Sequence, residues 1–213
     1  MGVSLECYGA SRPQQGRSLT EDAFLIAAGE HPVAAVCDGA GNAEQAARRV
    51  LREFRRLFAG AAGEEVARFP TWAGWVRMLD LSLGGGTQST FTAVTVVGQR
   101  LQGASVGDSR AYLIDRDGQL QLLSEQAPRL RLGSGRAQAG PIHTRLRPRD
   151  TVLLLSDGVW TQLGTYRLQQ VVAGAALKHF AELPDAILNA ASRTGRTDDM
   201  TAVVLRTKGR VAG

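Results

Sequence analysis

Lysine is nearly missing from this chain: Lys178 and Lys208 are the only two among 25 basic residues, so arginine carries the formal charge of +5. Such an excess invites a nucleic-acid or anion-binding reading. The pattern argues against nucleic acid. Arg48, Arg49, Arg52, Arg55 and Arg56 fall on a helix-like stretch whose other face carries Ala46, Val50, Leu51, Phe54 and Leu57, as on a solvated helix. Cysteine is equally scarce. Cys7 and Cys37 each lie inside an apolar, strand-like run, and their separation matches neither a zinc pattern nor a redox motif. No segment approaches the ~20 apolar residues of a membrane span, so no membrane association is expected. The opening Met1-Gly2-Val3-Ser4-Leu5-Glu6 lacks a basic region followed by an apolar stretch, and a cytoplasmic location is the expectation. The glycine run Gly84-Gly85-Gly86-Thr87 lacks the lysine of a phosphate-binding loop, which sets aside a nucleotide hydrolase.

With 213 residues, 44% hydrophobic and 21% charged, the composition is that of an ordinary globular chain able to bury one sizeable core. A single domain over residues 1–213 and a monomer are expected. Residues 3–10 and 22–37 read as strands, the latter a pair turning at Gly29-Glu30-His31-Pro32. Asn42 offers a helix cap, and apolar spacing continues to Phe58. A weaker helical region covers 64–81, with Trp72, Trp75, Val76 and Leu79 as core residues. Residues 89–97, 100–106, 111–115 and 120–123 read as a meander of antiparallel hairpins. Residues 124–149 break the pattern with prolines, glycines and the arginines Arg129, Arg131, Arg136, Arg145, Arg147 and Arg149, and read as a long loop or flap that recruits acidic substrates. A strand at 151–156, helices near 166–180 and 184–193, and a strand at 201–205 close the chain. Strands in runs, with helices segregated between them, indicate an α+β fold with largely antiparallel sheets.

Four short acidic signatures stand beside these strand-like runs: Glu21-Asp22, Asp38-Gly39, Asp157-Gly158 and Asp198-Asp199. Carboxylates at strand ends converge although distant in sequence. Two of them ~4 Å apart repel by roughly 4 kcal/mol at an effective dielectric near 20, so a cluster needs compensating charge. Divalent cations supply it, and an all-oxygen set favours Mg²⁺, Mn²⁺ or Ca²⁺ over zinc or copper. Arg17 precedes Glu21 by four residues, close enough to share the pocket, and a guanidinium holds phosphate by paired hydrogen bonds.

The ordered set Arg17-Ser18-Leu19-Thr20-Glu21-Asp22-Ala23, Val36-Cys37-Asp38-Gly39, Ser89-Thr90-Phe91-Thr92-Ala93, Val106-Gly107-Asp108-Ser109-Arg110-Ala111-Tyr112, Leu154-Leu155-Ser156-Asp157-Gly158-Val159-Trp160 and Arg196-Thr197-Asp198-Asp199-Met200-Thr201 resembles the metal-dependent protein phosphatases of type 2C, the PPM family, in a compact bacterial form. The resemblance implies a four-layer αββα arrangement, a β-sandwich of two mainly antiparallel sheets flanked by helices. It also implies two Mn²⁺ or Mg²⁺ ions at one end of the sandwich. Asp38 bridges both ions and the Gly39 carbonyl joins the second. Asp157 and Asp198 hold the first, and Glu21 and Asp22 lie around the second, partly through water. Asp108 matches a ligand of a possible third ion. A metal-bound water is the implied nucleophile, Arg17 holds the substrate phosphate, and Ser89 and Thr90 serve packing rather than catalysis. The implied activity is phosphoserine/phosphothreonine hydrolysis on a phosphorylated protein, within a serine/threonine kinase pathway.

The chain departs from the family where His often follows Asp-Gly, since Ala40 stands there. His143 is a candidate for the missing proton donor; water is the other. Thr161 stands where some relatives add an Asp, and Asp199 where the family usually has Asn. Two other readings stay open, a weakly active or inactive regulatory module and a small-molecule phosphate hydrolase. Retention of the principal carboxylates favours the enzyme.

Overall fold

The computed structural model describes residues 5–40, 45–84, 86–125, 127, 130–176, 179–193 and 198–207. In chain order the strands are β1 (Leu5–Arg12), β2 (Ala23–Ala27), β3 (Val33–Cys37), β4 (Gly39–Ala40), β5 (Gln88–Ser89), β6 (Phe91–Val97), β7 (Arg100–Val106), β8 (Arg110–Ile114), β9 (Leu120–Leu122), β10 (Gly140–Arg145), β11 (Thr151–Leu155) and β12 (Met200–Thr207). The helices are α1 (Ala46–Ala59), α2 (Gly63–Val66), α3 (Phe69–Ser82), α4 (Asp157–Ala176) and α5 (Leu183–Ser192).

One sheet has the order β1-β12-β11-β8-β9 and the other β10-β7-β6-β3-β2, with every pairing antiparallel. Period-two alternation sorts their side chains into layers. On β3, Val33, Ala35 and Cys37 join the cluster under α1 and α3, while Ala34 and Val36 join the cluster between the sheets. On β11, Leu153 and Leu155 pack under α4 and α5, while Val152 and Leu154 turn to the sheet opposite. Three apolar interfaces therefore separate four layers, helix–sheet–sheet–helix. This is the αββα arrangement expected. The few aromatics are concentrated in one outer interface, where Phe54, Phe58, Trp72, Trp75 and Phe91 meet edge-on or tilted. Among the described residues no helix is long and apolar enough to cross a membrane.

Four sequence readings change. The helical region 64–81 is two helices, because Pro70 in a continuous helix would clash with the carbonyl four residues earlier; it sits instead in the first turn of α3. The stretch 124–149 is not one loop: β10 lies within it, paired along β7. The helix expected near 166 begins at Asp157 and runs to Ala176, with a break at Gly164 (φ 61°). Helix α1 starts at Ala46 after Gln45, and Asn42 lies outside the described residues.

Candidate metal centre

The sheet registers gather the acids. Ala23 opens β2 opposite Cys37, which closes β3, so Asp22 and Asp38 leave the sheet side by side. Phe91 pairs with Val106, placing the end of β7, and Asp108 just beyond it, at the same edge. In the other sheet, Leu155 at the end of β11 pairs with Ala202 near the start of β12, and the Ser156 N–H continues the ladder to the Thr201 carbonyl at 3.0 Å. Asp157 and Asp198 thus emerge together at that end of the sandwich.

Carboxylate oxygens of Asp38, Asp108 and Asp157 lie within 4.8 Å of one another. Asp198 adds its charge to Asp38 and Asp157. Burial first, opposed by Arg131 and reinforced by the charges of Asp157, Asp108 and Asp198, leaves the Asp38 carboxyl pushed up to about 7. Asp157 is raised for the same reason, burial first and then Asp108 and Asp198, although the Gly158 N–H and Arg131 oppose the shift. Asp22 is raised well above the carboxylate range by burial, then by Asp38. Neither of its carboxylate oxygens has a hydrogen-bond partner. The hydroxyls of Ser156 and Thr201 ease its charge without closing a bond of ordinary geometry. A buried, partnerless carboxylate beside three converging ones is a donor set short of positive charge. Oxygen donors alone suit a hard divalent cation, so the residues present fit the ions that the sequence implies.

The surrounding backbone is held firmly. Asp38 N–H donates to Thr90 Oγ1 at 2.8 Å, and Thr90 N–H donates to the Asp38 carbonyl at 2.9 Å. Thr90 Oγ1 also shares a hydrogen bond with Ser109 Oγ at 2.8 Å, and Gly39 pairs with Ser89. These hydroxyls fix the Asp38-Gly39 turn rather than face a substrate. Thr161 donates its hydroxyl to the Asp157 carbonyl one turn below.

Asp199, which departs from the family pattern, is a clamp. Its carboxylate is buried and accepts the N–H groups of Gln14 (2.6 Å) and Glu21 (2.5 Å). It therefore ties both ends of the segment carrying Arg17 to the head of β12, and it also raises Asp22 slightly. Within that segment Arg17 pairs with Glu21 at 3.4 Å, its side chain half exposed. His143 lies on the exposed side of the edge strand β10, opposite Gln102, which is itself six residues before Asp108 along β7, and this keeps the histidine from the acids.

Two residues were not read as part of the site. Arg131 Nη2 stands 3.2 Å from Asp38 Oδ2 and 3.2 Å from both Asp108 oxygens. Buried Asp80 of α3 accepts the N–H groups of Gly133 (2.7 Å), Gly135 (3.1 Å) and Ala137 (3.0 Å). Asp80 follows Val76 by four residues and so belongs to the buried stripe of the helix, a polar interruption that pattern alone could have flagged. The flap arginines consequently do not act as one rim: Arg131 turns inward, and Arg145 is held on Gln99 at 2.9 Å. Arg129 lies outside the described residues.

Gly158 is required by close approach. A Cβ there would stand 2.0 Å from the Asp199 carbonyl oxygen and 3.2 Å from the Asp198 Cβ. Gly158→Ala is expected to push the 198–199 turn away from Asp157, weakening Mn²⁺ binding by about tenfold or more, which calorimetric titration would register. Unchanged affinity would show that the two acids need not lie so close.

The sequence matches the model of the stage II sporulation protein E (SpoIIE) family over residues 29–208, and the chain belongs to that family. No protein of curated function matches it significantly. Among solved structures it is similar to the S. agalactiae serine/threonine phosphatase, with a TM-score of 0.86, 17% identity, and coverage of 96% of this chain and 100% of that one. The catalytic domain of the serine/threonine phosphatase PstP, solved with two manganese ions, matches with a TM-score of 0.79 and 22% identity over 96% of this chain and 99% of that one. Stp1 from Staphylococcus aureus matches with a TM-score of 0.85 and 19% identity over 98% and 97%. The type 2C resemblance read from the sequence thus holds in the fold.

Proposed function

We propose that the chain is a divalent-metal-dependent phosphoserine/phosphothreonine protein phosphatase, acting as a single domain in cytoplasmic signalling opposite a serine/threonine kinase. The observation that carries this reading is the convergence of Asp38, Asp108 and Asp157 within 4.8 Å, next to the partnerless carboxylate of Asp22. PstP, whose fold this chain shares, was solved with two manganese ions.

In this reading Asp38, Asp157 and Asp198 would hold one Mn²⁺ or Mg²⁺ ion, and Asp38, the Gly39 carbonyl, Glu21 and Asp22 would hold a second, with Asp108 available to a third. When bound, such ions would supply Lewis acidity and lower the pKa of a water, the chemistry that phosphate-ester hydrolysis needs. Arg17 leaves Glu21 to take two phosphate oxygens, a change that its half-exposed position permits. A polar cleft of about 450 Å³ opens beside Asp108 and Asp157, lined also by Arg110, Ser124, Trp160 and Thr161, and gives the phosphorylated side chain its approach. Trp160 closes one wall, its indole N–H on the Asp108 carbonyl at 3.0 Å and Arg110 stacked on its ring. Among the described residues no histidine lines this cleft, and the reading takes solvent as the proton donor to the leaving alkoxide.

Rates on a phosphothreonine peptide and on a small aryl phosphate, both with Mn²⁺, test the substrate class. A kcat/KM at least tenfold higher for the peptide is expected. Preference for the small ester would make the chain a small-molecule phosphate hydrolase.

A further inference from the structure

Arg131 reaches the acids because its segment is anchored from beneath. Leu132 is fully buried and exchanges backbone hydrogen bonds with Ser89, the partner of Gly39, at 2.8 and 3.1 Å. Beyond it, Gly133 (φ 90°) and Gly135 (φ 71°) adopt left-handed geometry, which lets the N–H groups of Gly133, Gly135 and Ala137 converge on the single carboxylate of Asp80. Gly133 could not be another residue, since a Cβ would stand 2.2 Å from the Thr87 carbonyl oxygen. The guanidinium is therefore delivered by a fixed backbone rather than by a free side chain, and it remains only 20% exposed.

Its target is the edge of the cluster formed by Asp38 and Asp108. Although burial opposes its charge, Asp38, Asp108 and Asp157 hold the guanidinium firmly protonated. An ion on Asp38 Oδ2 would sit about 2.0–2.6 Å from an oxygen that Arg131 approaches to 3.2 Å. Two cations drawing on one carboxylate oxygen in a half-buried site repel strongly.

We propose that Arg131, positioned by Asp80 through the turn at 133–137, is a tethered counter-cation that sets the divalent-ion affinity of the centre by competing for Asp38 and Asp108. This rests on the phosphatase reading of the same acids. With ions absent, Arg131 offsets the repulsion among the carboxylates. As ions bind, the guanidinium must give up Asp38 or Asp108, and the affinity falls by the cost of that displacement. Asp80 is a positioning residue: it touches neither the ions nor a substrate.

The test is Mn²⁺ titration of the full chain by calorimetry, with free Mn²⁺ followed by electron paramagnetic resonance. Arg131→Gln is expected to tighten the ion on Asp38 by roughly tenfold, the equivalent of removing one screened charge. R131K, which keeps the charge on a more mobile stem, should stay nearer the wild type. Asp80→Asn should shift affinity in the same direction as R131Q but less, and R131Q/D80N should match R131Q alone. The metal-free melting temperature should fall in R131Q and recover at saturating Mn²⁺, a pattern that general damage to the fold would not give. Equal or weaker Mn²⁺ affinity in R131Q overturns the inference and leaves the phosphatase reading standing. A tightening of Mn²⁺ binding in a chain that releases no phosphate from phosphopeptides supports the inference and removes the phosphatase reading.

Discussion

Asp38→Asn is expected to lower kcat/KM on a phosphothreonine peptide by on the order of a thousandfold, and Asp157→Asn by a similar factor, as loss of a preorganised electrostatic group does. Asp38 lies at the crossing of every contact in the cluster. Its backbone is locked on both sides by Thr90, its carboxylate faces Asp108 and Asp157, and its neighbour Gly39 is fixed by pairing with Ser89. Asparagine keeps the size and removes the charge, so the loss reports chemistry rather than collapse. Stability should move the opposite way. The Asp38 carboxyl is raised to about 7, which means that the metal-free fold favours its neutral form. A neutral side chain there should leave the metal-free protein at least as stable as the wild type at pH 8, the signature of a residue retained for function at a cost to the fold. Activity within tenfold of the wild type, measured as phosphate release, would remove Asp38 from the reaction.

The second large effect is on stability against pH. In the unfolded chain Asp38 returns to its ordinary value of 3.8, while in the metal-free fold it titrates near 7. Below pH 4 both states are protonated and no penalty exists. Between pH 4 and 7 the folded state binds the extra proton, so stability falls as pH rises. The full penalty, on the order of 4 kcal/mol for this one group, is present above pH 7. Asp22 and Asp157, also raised, act in the same direction. In a chain of this length the melting temperature should drop by roughly 10 °C between pH 5 and pH 8 with chelator present. Mn²⁺ at about 100 times its dissociation constant adds roughly 2.7 kcal/mol and should return much of the loss at pH 8. Scanning calorimetry at the two pH values, with and without Mn²⁺, checks both statements; a melting temperature indifferent to pH and to metal would contradict them.

The acids and the layers were legible in the sequence because both depend on local pattern. The unbroken apolar runs at 33–37 and 152–155 mark strands buried on two faces, and acids stand at their ends. What escaped reading depends on contacts between distant segments. Asp80 meets Gly133 across 53 residues, and Asp199 meets Gln14 across 185. No period reveals such a pair. In sequence Asp199 is only a departure from the family's Asn, whereas in the fold it accepts two backbone N–H groups and becomes a clamp. Strand β10 has the sequence pattern of a loop because Pro141, His143 and Arg145 interrupt it; an edge strand tolerates such residues, since one side of its backbone has no partner strand. Arg131 was read with the other arginines of that segment as a charge for substrates, and only the fold shows it turned inward onto Asp38 and Asp108.

Phosphate release from a phosphothreonine peptide, measured on one preparation first with chelator and then after addition of excess Mn²⁺, tests the central claim most directly. Release should be undetectable with chelator and return in full with Mn²⁺, in the wild type and not in Asp38→Asn. Release that persists in chelator, or that Mn²⁺ fails to restore, would contradict a metal-dependent phosphatase built on these carboxylates.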